Sequence, residues 1–244
     1  MSVEKVALVT GGSKGIGAAI VRRLSADGFA VAINYSRDPA PAKALAAELK
    51  DAGGRTFTIK CNVANSDDVR QMFDTIESEL GPVNVLINNA GIMKNAPVAQ
   101  SEEQDFDQQI AVNLKGTFNT LKQAANRMPN GGRIVNLSTS VVGLKLENYG
   151  IYAATKSAVE TLSAILSKEL RGKDITVNSV APGPTATDLF LTGKSQDVID
   201  RLAKMSPLER LATPDDIASA VAFLVGPDGA WINGQVLRAN GGLV

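Results

Sequence analysis

Histidine is absent from this chain of 244 residues. Its absence excludes Ser-His-Asp and Cys-His catalysis as well as the usual mononuclear zinc sites, and we expect no metal site. Any general acid or base must then be a tyrosine, lysine, aspartate or glutamate side chain.

Cysteine is nearly absent, since Cys61 is the single one. An intrachain disulfide is therefore impossible, which is typical of a protein from a reducing compartment. Apolar residues flank Cys61 in the segment TIKCNV, and a free cysteine in such surroundings usually packs as a small hydrophobic side chain. We predict a core residue at this position and not a nucleophile.

An excess of charge of either sign is also missing, because 25 basic side chains balance 25 acidic ones. A neutral chain has no general electrostatic attraction for nucleic acid or anionic lipid. No apolar run approaches the roughly 20 residues that a membrane-spanning helix needs, and the first residues lead into a strand-like run without a signal peptide. We expect a cytoplasmic protein that binds a small molecule and has neither nucleic acid nor a membrane as its partner.

What the sequence does contain is a regular alternation of strand and helix signals. The first strand signal, at 3–9, is an apolar run that predicts a strand buried on both faces. Further strands are predicted at 29–34, 55–60, 83–88, 133–137, 175–180 and 235–238. Apolar residues at helical spacing predict helices at about 15–27, 41–52, 66–80, 102–127, 152–170, 195–205 and 214–224. The third of these helices begins with an N-cap serine, Ser66, and has Asp67 and Asp68 in its first turn.

Strands joined by helical crossovers imply right-handed βαβ units. We predict an α/β fold of the Rossmann type, a doubly wound seven-stranded parallel sheet with helices on both faces. It forms a single domain over residues 1–244, with a substrate region at about 187–205. Ligands of such folds bind beyond the carboxyl ends of the strands.

The segment TGGSKGIG, residues 10–17, follows the first strand and opens the first helix. Glycines there let the backbone approach a pyrophosphate, and a helix N-terminus offers unpaired N–H groups and the positive end of the helix dipole. A merely tight turn is the alternative for the glycines alone. We predict a dinucleotide site formed by Gly11, Ser13, Lys14, Gly15, Ile16 and Gly17.

The glycine segment and later motifs together resemble the short-chain dehydrogenase/reductase family, in family order and over essentially the whole chain. The later motifs are NNAG at 88–91, Asn113, YAATK at 152–156 and PGPTAT at 182–187. The chain is similar to the ordinary short-length branch, including 3-oxoacyl-acyl-carrier-protein reductases and tetrahydroxynaphthalene reductases. The resemblance implies cofactor contacts from Asn62, Val63, Asn89, Ala90, Gly91, Pro182, Gly183, Thr185 and Thr187. It also implies that Asn113 holds a water that links Lys156 to solvent.

Tyr152 and Lys156 are four residues apart and therefore lie on one face of a helix. A phenol with a pKa near 10 is a poor acid–base at neutral pH, but an adjacent ammonium favours the phenolate and lowers that pKa. The pair opens the helix after the fifth strand, and no histidine is available for the task. We predict that Tyr152 is the acid–base, that Lys156 supports it, and that both contact the cofactor.

A hydroxyl at the end of the fifth strand contacts the substrate oxygen in the family. The segment here is NLSTS, residues 136–140, and the family spacing falls on Thr139. Ser138 and Ser140 stay open as alternatives, because a shift of one residue would bring either into the same place. Each hydroxyl can donate a hydrogen bond.

The end of the second strand, NYSRD, indicates which cofactor binds. Enzymes that prefer NAD place an acid there for the adenine ribose, whereas those that use NADP supply cations for the 2′-phosphate. Tyr35 occupies the acid position, Ser36 can donate to a phosphate, and Arg37 can pair with it. Together with Lys14 these residues predict NADP(H), although Asp38 would bring an acid closer after a shift of one residue.

We therefore expect an NADPH-dependent oxidoreductase that transfers a hydride between the nicotinamide and a carbonyl or alcohol substrate. The substrate is open among a 3-oxoacyl thioester, a polycyclic or quinone-like ketone and a sugar. A non-catalytic NADP-binding sensor on the same fold is the alternative, and a sugar-nucleotide epimerase usually needs a longer C-terminal region. Apolar helix faces and the resemblance together predict a homotetramer.

Overall fold

The computed structural model describes residues 4–244. Its strands are β1 (Val6–Thr10), β2 (Ala30–Tyr35), β3 (Thr56–Lys60), β4 (Val83–Asn88), β5 (Arg133–Leu137), β6 (Thr176–Pro182) and β7 (Val236–Ala239). They form one parallel sheet in the order β3-β2-β1-β4-β5-β6-β7. This confirms the predicted fold class. The chain crosses back past β1 to reach β4, so a crevice opens between the carboxyl ends of these two strands.

Both faces of the sheet are covered because successive side chains of a strand point to opposite sides. In β1, Ala7 and Val9 belong to one buried apolar cluster, and Val6 and Leu8 belong to the other. Cys61 is buried in the second cluster, which confirms that it is a core residue.

The helices divide between the two faces of the sheet. Helices α1 (Gly15–Ala26), α2 (Ala40–Asp51) and α10 (Pro214–Val225) pack on the face that carries Ala7 and Val9. Helices α3 (Ser66–Glu79), α5 (Gly116–Arg127) and α7 (Gly150–Glu169) pack on the opposite face. The remaining helices are α4 (Glu103–Gln109), α6 (Val141–Leu144), α8 (Asp188–Leu191) and α9 (Gln196–Lys204). The last three lie beyond the carboxyl ends of β5 and β6, where they border the crevice.

Several predicted boundaries need correction. Asn65, and not Ser66, caps α3, because its side chain accepts hydrogen bonds from the backbone N–H groups of Asp67 and Asp68. The helix predicted at 102–127 is instead α4, a π-helical segment (Ile110–Lys115) and α5. No helix was predicted between residues 137 and 152, but this segment contains α6, and α7 begins at Gly150, before Tyr152. Val3, predicted as the start of β1, lies outside the described residues.

Within residues 4–244, no helix is both long enough and apolar enough to cross a membrane.

Candidate active site

The turn after β1 is shaped by glycines that no other residue replaces easily. Gly11 and Gly15 have φ values of +59° and +51°, a region that favours glycine. A Cβ on Gly11 would lie 3.0 Å from Ala90 Cα, and one on Gly17 would collide with the carbonyl oxygen of Gly11. The turn and the segment after β4 therefore pack backbone against backbone.

Two side chains that the sequence analysis did not single out hold this turn in place. The Asn34 side chain accepts a hydrogen bond from Gly11 N at 3.1 Å and donates to the carbonyl oxygens of Ile59 and Cys61. The hydroxyl of Thr10 accepts from the backbone N–H groups of Asn89 and Ala90 at 3.0 and 3.1 Å. Their only sequence signal was a polar residue at the end of a buried strand.

A groove along the glycine turn leads into a deeper cavity. Gly11, Lys14, Gly15 and Ala90 line the groove but not the cavity. Ile16, Asn89, Gly91 and Thr187 line both, so the two spaces are continuous. The cavity also brings together the predicted residues Ser138, Thr139, Ser140, Tyr152, Lys156, Pro182, Gly183 and Thr185.

The remaining predicted cofactor residues do not line the groove or the cavity. Ser36 and Arg37 are exposed, as is Lys14 in the groove, and Tyr35 is half-buried at the end of β2. This end adjoins the glycine turn, since Gly12 N donates to Asn34 O at 2.9 Å. Asp38, the acid considered above, accepts a hydrogen bond from the N–H of Ala40, the first residue of α2, at 2.9 Å.

Ser13, Asn62 and Val63 also lie near these strand ends. Asn62 and Val63 make contacts that stabilise the fold. The Asn62 side chain accepts from Ala64 N at 3.2 Å. The buried Val63 packs against Gly116, and its carbonyl oxygen accepts from Asn119.

Tyr152 and Lys156 lie in the first two turns of α7 and face the cavity together. The Lys156 Nζ donates to Leu137 O at 2.7 Å and lies 5.9 Å from the centroid of the Tyr152 ring. Burial lowers the pKa of Lys156 to about 8. Burial also raises the pKa of Tyr152 to about 12, opposed by a hydrogen bond with Thr139. The expected lowering of the tyrosine pKa was therefore wrong, because desolvation by burial is the largest influence on this phenol.

The three hydroxyls at the end of β5 differ in their partners. Ser138 Oγ donates to Glu160 Oε1 at 2.5 Å, and Ser140 Oγ donates to Ala181 O at 3.2 Å. Thr139 Oγ1 accepts from Val141 N at 3.3 Å, and the Thr139 side chain acts to lower the pKa of the neighbouring Tyr152. Glu160 is a functional candidate that the sequence analysis missed, although it lies one helical turn beyond Lys156.

Asn113 is fully buried in the π-helical segment and ties this segment to the strand ends. Its side chain accepts from Ile92 N at 2.8 Å and donates to Ile92 O and Thr155 Oγ1. A Cβ on Gly91 would lie 3.4 Å from Asn113 Oδ1 and 3.5 Å from Lys156 Nζ. The asparagine and the lysine therefore flank the same glycine.

The groove fits a dinucleotide on its own geometry. Within residues 4–244, no side chain caps the N-terminus of α1, so its first N–H groups face the groove without a side-chain acceptor. Backbone N–H groups at such a terminus bind phosphate oxygens, and the helix dipole favours negative charge there. Glycines where a Cβ would fill the turn leave room for that approach.

Comparisons with known proteins agree with this geometry. The family model described as Enoyl-(Acyl carrier protein) reductase matches residues 11–244. The chain is 41% identical to an NADPH-dependent aldehyde reductase-like protein, chloroplastic, of Arabidopsis thaliana, over 98% of this chain and 94% of that protein. It is 38% identical to a 3-oxoacyl-[acyl-carrier-protein] reductase of Staphylococcus epidermidis, over 99% of both.

A solved structure is similar over the whole chain. It is a short chain dehydrogenase from Burkholderia cenocepacia in complex with NADP, with a TM-score of 0.93 and 34% identity over 100% of this chain and 99% of that one. The chain belongs to the short-chain dehydrogenase/reductase family, whose members are oxidoreductases.

Proposed function

We propose that this protein is a carbonyl reductase that uses NADP(H) and in which Tyr152 donates the proton. The cofactor is NADP(H), which the plant relative and the Burkholderia cenocepacia structure named above also use or bind. Lys14 and Arg37 are exposed cations beside the groove and suit the 2′-phosphate, whereas the acid Asp38 is engaged at the start of α2.

The observation that carries the proposal is the meeting of Tyr152, Lys156 and Thr139 in one cavity that continues into the glycine groove. When bound, NADPH supplies the hydride that reaches the carbonyl carbon. The protein's part is to orient the carbonyl oxygen between two hydroxyls and to deliver a proton to it.

The proton chemistry follows from the pKa values. With a pKa raised to about 12, Tyr152 is a neutral phenol at neutral pH and is ready to donate a proton to the carbonyl oxygen. The Thr139 hydroxyl donates a second hydrogen bond to that oxygen as its negative charge develops. The Lys156 ammonium then stabilises the phenolate, and Asn113, through a water, completes the path that returns a proton from solvent.

Replacement of Tyr152 by phenylalanine tests this function. The Tyr152→Phe enzyme should bind NADPH nearly as tightly as the wild type, because the ring and its packing remain. Turnover of an aldehyde should fall by roughly 10²- to 10⁴-fold, the range expected for loss of a positioned proton donor. Tyr149→Phe is the matched control, since Tyr149 also lines the cavity. Cofactor titration and initial rates at 340 nm give the two readouts.

Two results would contradict the proposal. Normal turnover by Tyr152→Phe would assign the proton transfer to another group. Tight NADPH binding without turnover of any carbonyl by the wild type would favour the non-catalytic sensor. A cytoplasmic location stays a prediction, and the plant relative named above is chloroplastic.

A further inference from the structure

Apolar side chains form most of the walls of the cavity beside Tyr152. Val141, Leu144 and Leu146 line one side, and Phe190, Leu202 and Met205 line the other. The polar groups that line it come from the segments that follow β4, β5 and β6 and from Tyr149, Tyr152 and Lys156 around the start of α7. A substrate carbonyl therefore has hydrogen-bond partners there, while the rest of the molecule meets hydrocarbon.

Charge is almost absent from these walls. Within residues 4–244, Lys156 alone among the lining side chains carries a formal charge, and it is bonded to Leu137 O at 2.7 Å. A carboxylate or phosphate on the substrate would lose its hydration and find no cation along the hydrophobic walls, which is strongly unfavourable. Those hydroxyls of a sugar that face the hydrocarbon walls would likewise lose hydrogen bonds to water.

Phe190, the phenylalanine that lines the cavity, is held in place by contacts with Thr187 and Lys194. Thr187 Oγ1 accepts from Phe190 N at 3.3 Å at the start of α8. Lys194 donates to the carbonyl oxygen of Phe190, and its Nζ lies 4.6 Å from the centroid of the Phe190 ring. The ammonium thus contacts the ring and the backbone of α8, and it is not among the groups that line the cavity.

We propose that this site takes a neutral, predominantly apolar aldehyde or ketone and rejects carbonyl compounds that carry an acid group or several hydroxyls. This inference rests on the proposed function, because it concerns the substrate of the same cavity. It narrows the three substrate classes left open by the sequence, since the hydrophobic walls disfavour a sugar.

Two para-substituted benzaldehydes, one neutral and one charged, test the inference. With NADPH, kcat/KM for 4-methylbenzaldehyde should exceed that for 4-formylbenzoate by roughly 10²-fold or more, because only the second must bury a charge. The carboxylate does not make the aldehyde less reactive toward reduction. Equal values, or a preference for 4-formylbenzoate, would overturn the inference and leave the carbonyl reductase function standing.

Binding of unreactive amides separates this inference from the proposed function. The complex with NADP should bind 4-methylbenzamide in calorimetric titration and should bind 4-carbamoylbenzoate at least about 10²-fold more weakly. This selectivity without turnover of the aldehydes would support the pocket chemistry and contradict the reductase. Equal binding of the two amides would overturn the pocket chemistry.

A variant with a cation on the cavity wall should gain activity toward the charged substrate. Leu202→Arg should raise kcat/KM for 4-formylbenzoate at least tenfold and lower it for 4-methylbenzaldehyde, because the guanidinium pairs with the carboxylate. Leu208→Arg is the matched control, since Leu208 is 64% exposed and does not line the cavity. The same gain in both variants would contradict a role for the cavity wall.

Discussion

At the scale of single residues, the partners of the three hydroxyls after β5 assign their roles. Ser138 and Ser140 already donate to Glu160 and Ala181, whereas Thr139 stands beside Tyr152. We expect Thr139→Ala to lower kcat by about 10²-fold, the cost of losing one positioned donor in an active site. Thr139→Ser, which keeps the hydroxyl, should stay within about tenfold of the wild type in initial rates.

Glu160 allows a second test of this assignment, because its carboxylate accepts the hydrogen bond of the neighbouring Ser138 hydroxyl. Glu160→Ala releases Ser138, so the double variant Thr139→Ala with Glu160→Ala should regain part of the lost turnover. Adding Ser138→Ala should abolish that recovery, and Glu169→Ala on the exposed end of α7 is the control. Full activity in Thr139→Ala alone would show that Thr139 is not the substrate-facing hydroxyl.

The buried ammonium of Lys156 makes stability depend on pH in a defined direction. Its pKa is about 8 in the folded protein against 10.5 for the ordinary lysine, because burial disfavours the charge. Between these values the unfolded chain binds more protons at this side chain, so stability must rise with pH. Below pH 8 the group is charged in both states and its contribution is constant.

The difference in unfolding free energy between the wild type and Lys156→Met isolates this contribution. In urea titrations of the cofactor-free proteins, the free energy of unfolding of the wild type should rise relative to that of the variant from pH 8 to 9.5, since Lys156 titrates over that interval. Cys61 and Tyr152, whose pKa values burial raises to about 12, are present in both proteins. A constant or falling difference would contradict a lowered lysine pKa.

At the scale of elements, the cap of α3 shows what local sequence can and cannot specify. Asn65 and Ser66 are both good capping residues, and only the structure shows which of them has the extended backbone of a cap. We expect Asn65→Ala to lower the free energy of unfolding by about 1 kcal/mol, because two backbone N–H groups lose their acceptor. Ser66→Ala should change it by less than about 0.5 kcal/mol in the same urea titrations. The reverse order would restore Ser66 as the cap.

The strands were predictable because a buried parallel strand is a continuous apolar run with polar ends. The predicted bounds of β4 and β5 match the structure, and the other strands shift by a few residues. The π-helical segment was not predictable, since it depends on Asn113 reaching the backbone of Ile92 across the fold. The short α6 and α8 were missed for a similar reason, because helices of four residues carry too little periodicity to detect.

At the scale of the whole molecule, the sequence could place the site at one edge of the sheet, because parallel strands end together. It could not show that Ser138 is held by Glu160, or that desolvation would raise the pKa of Tyr152. Both depend on how α7 packs against β5 and on how much water that packing excludes. Motifs thus identify the residues of a site, and packing decides their protonation and orientation.

Exposed apolar residues of the single chain predict how it assembles. Trp231 is 99% exposed, and Phe223 on α10 and Val236 on the edge strand β7 are also exposed. Phe118 on α5 and Ile165 on α7 are each 49% exposed, so a second apolar surface lies on the opposite face of the sheet. Two such surfaces favour a homotetramer, because isologous contacts through each of them close into a symmetric assembly.

Light scattering should therefore give four times the chain mass of 25.5 kDa at micromolar concentration. Phe223→Glu should reduce the assembly, because it places a charge in the surface around Trp231. Trp231 is the sole tryptophan, so its emission should shift to the red in that variant as the indole becomes solvated. Val98→Glu, at a site that is 78% exposed and belongs to none of the elements just named, should change neither mass nor emission. A wild-type monomer whose tryptophan already emits as in water would contradict the assembly, because the indole would then be as exposed in solution as it is in the single chain.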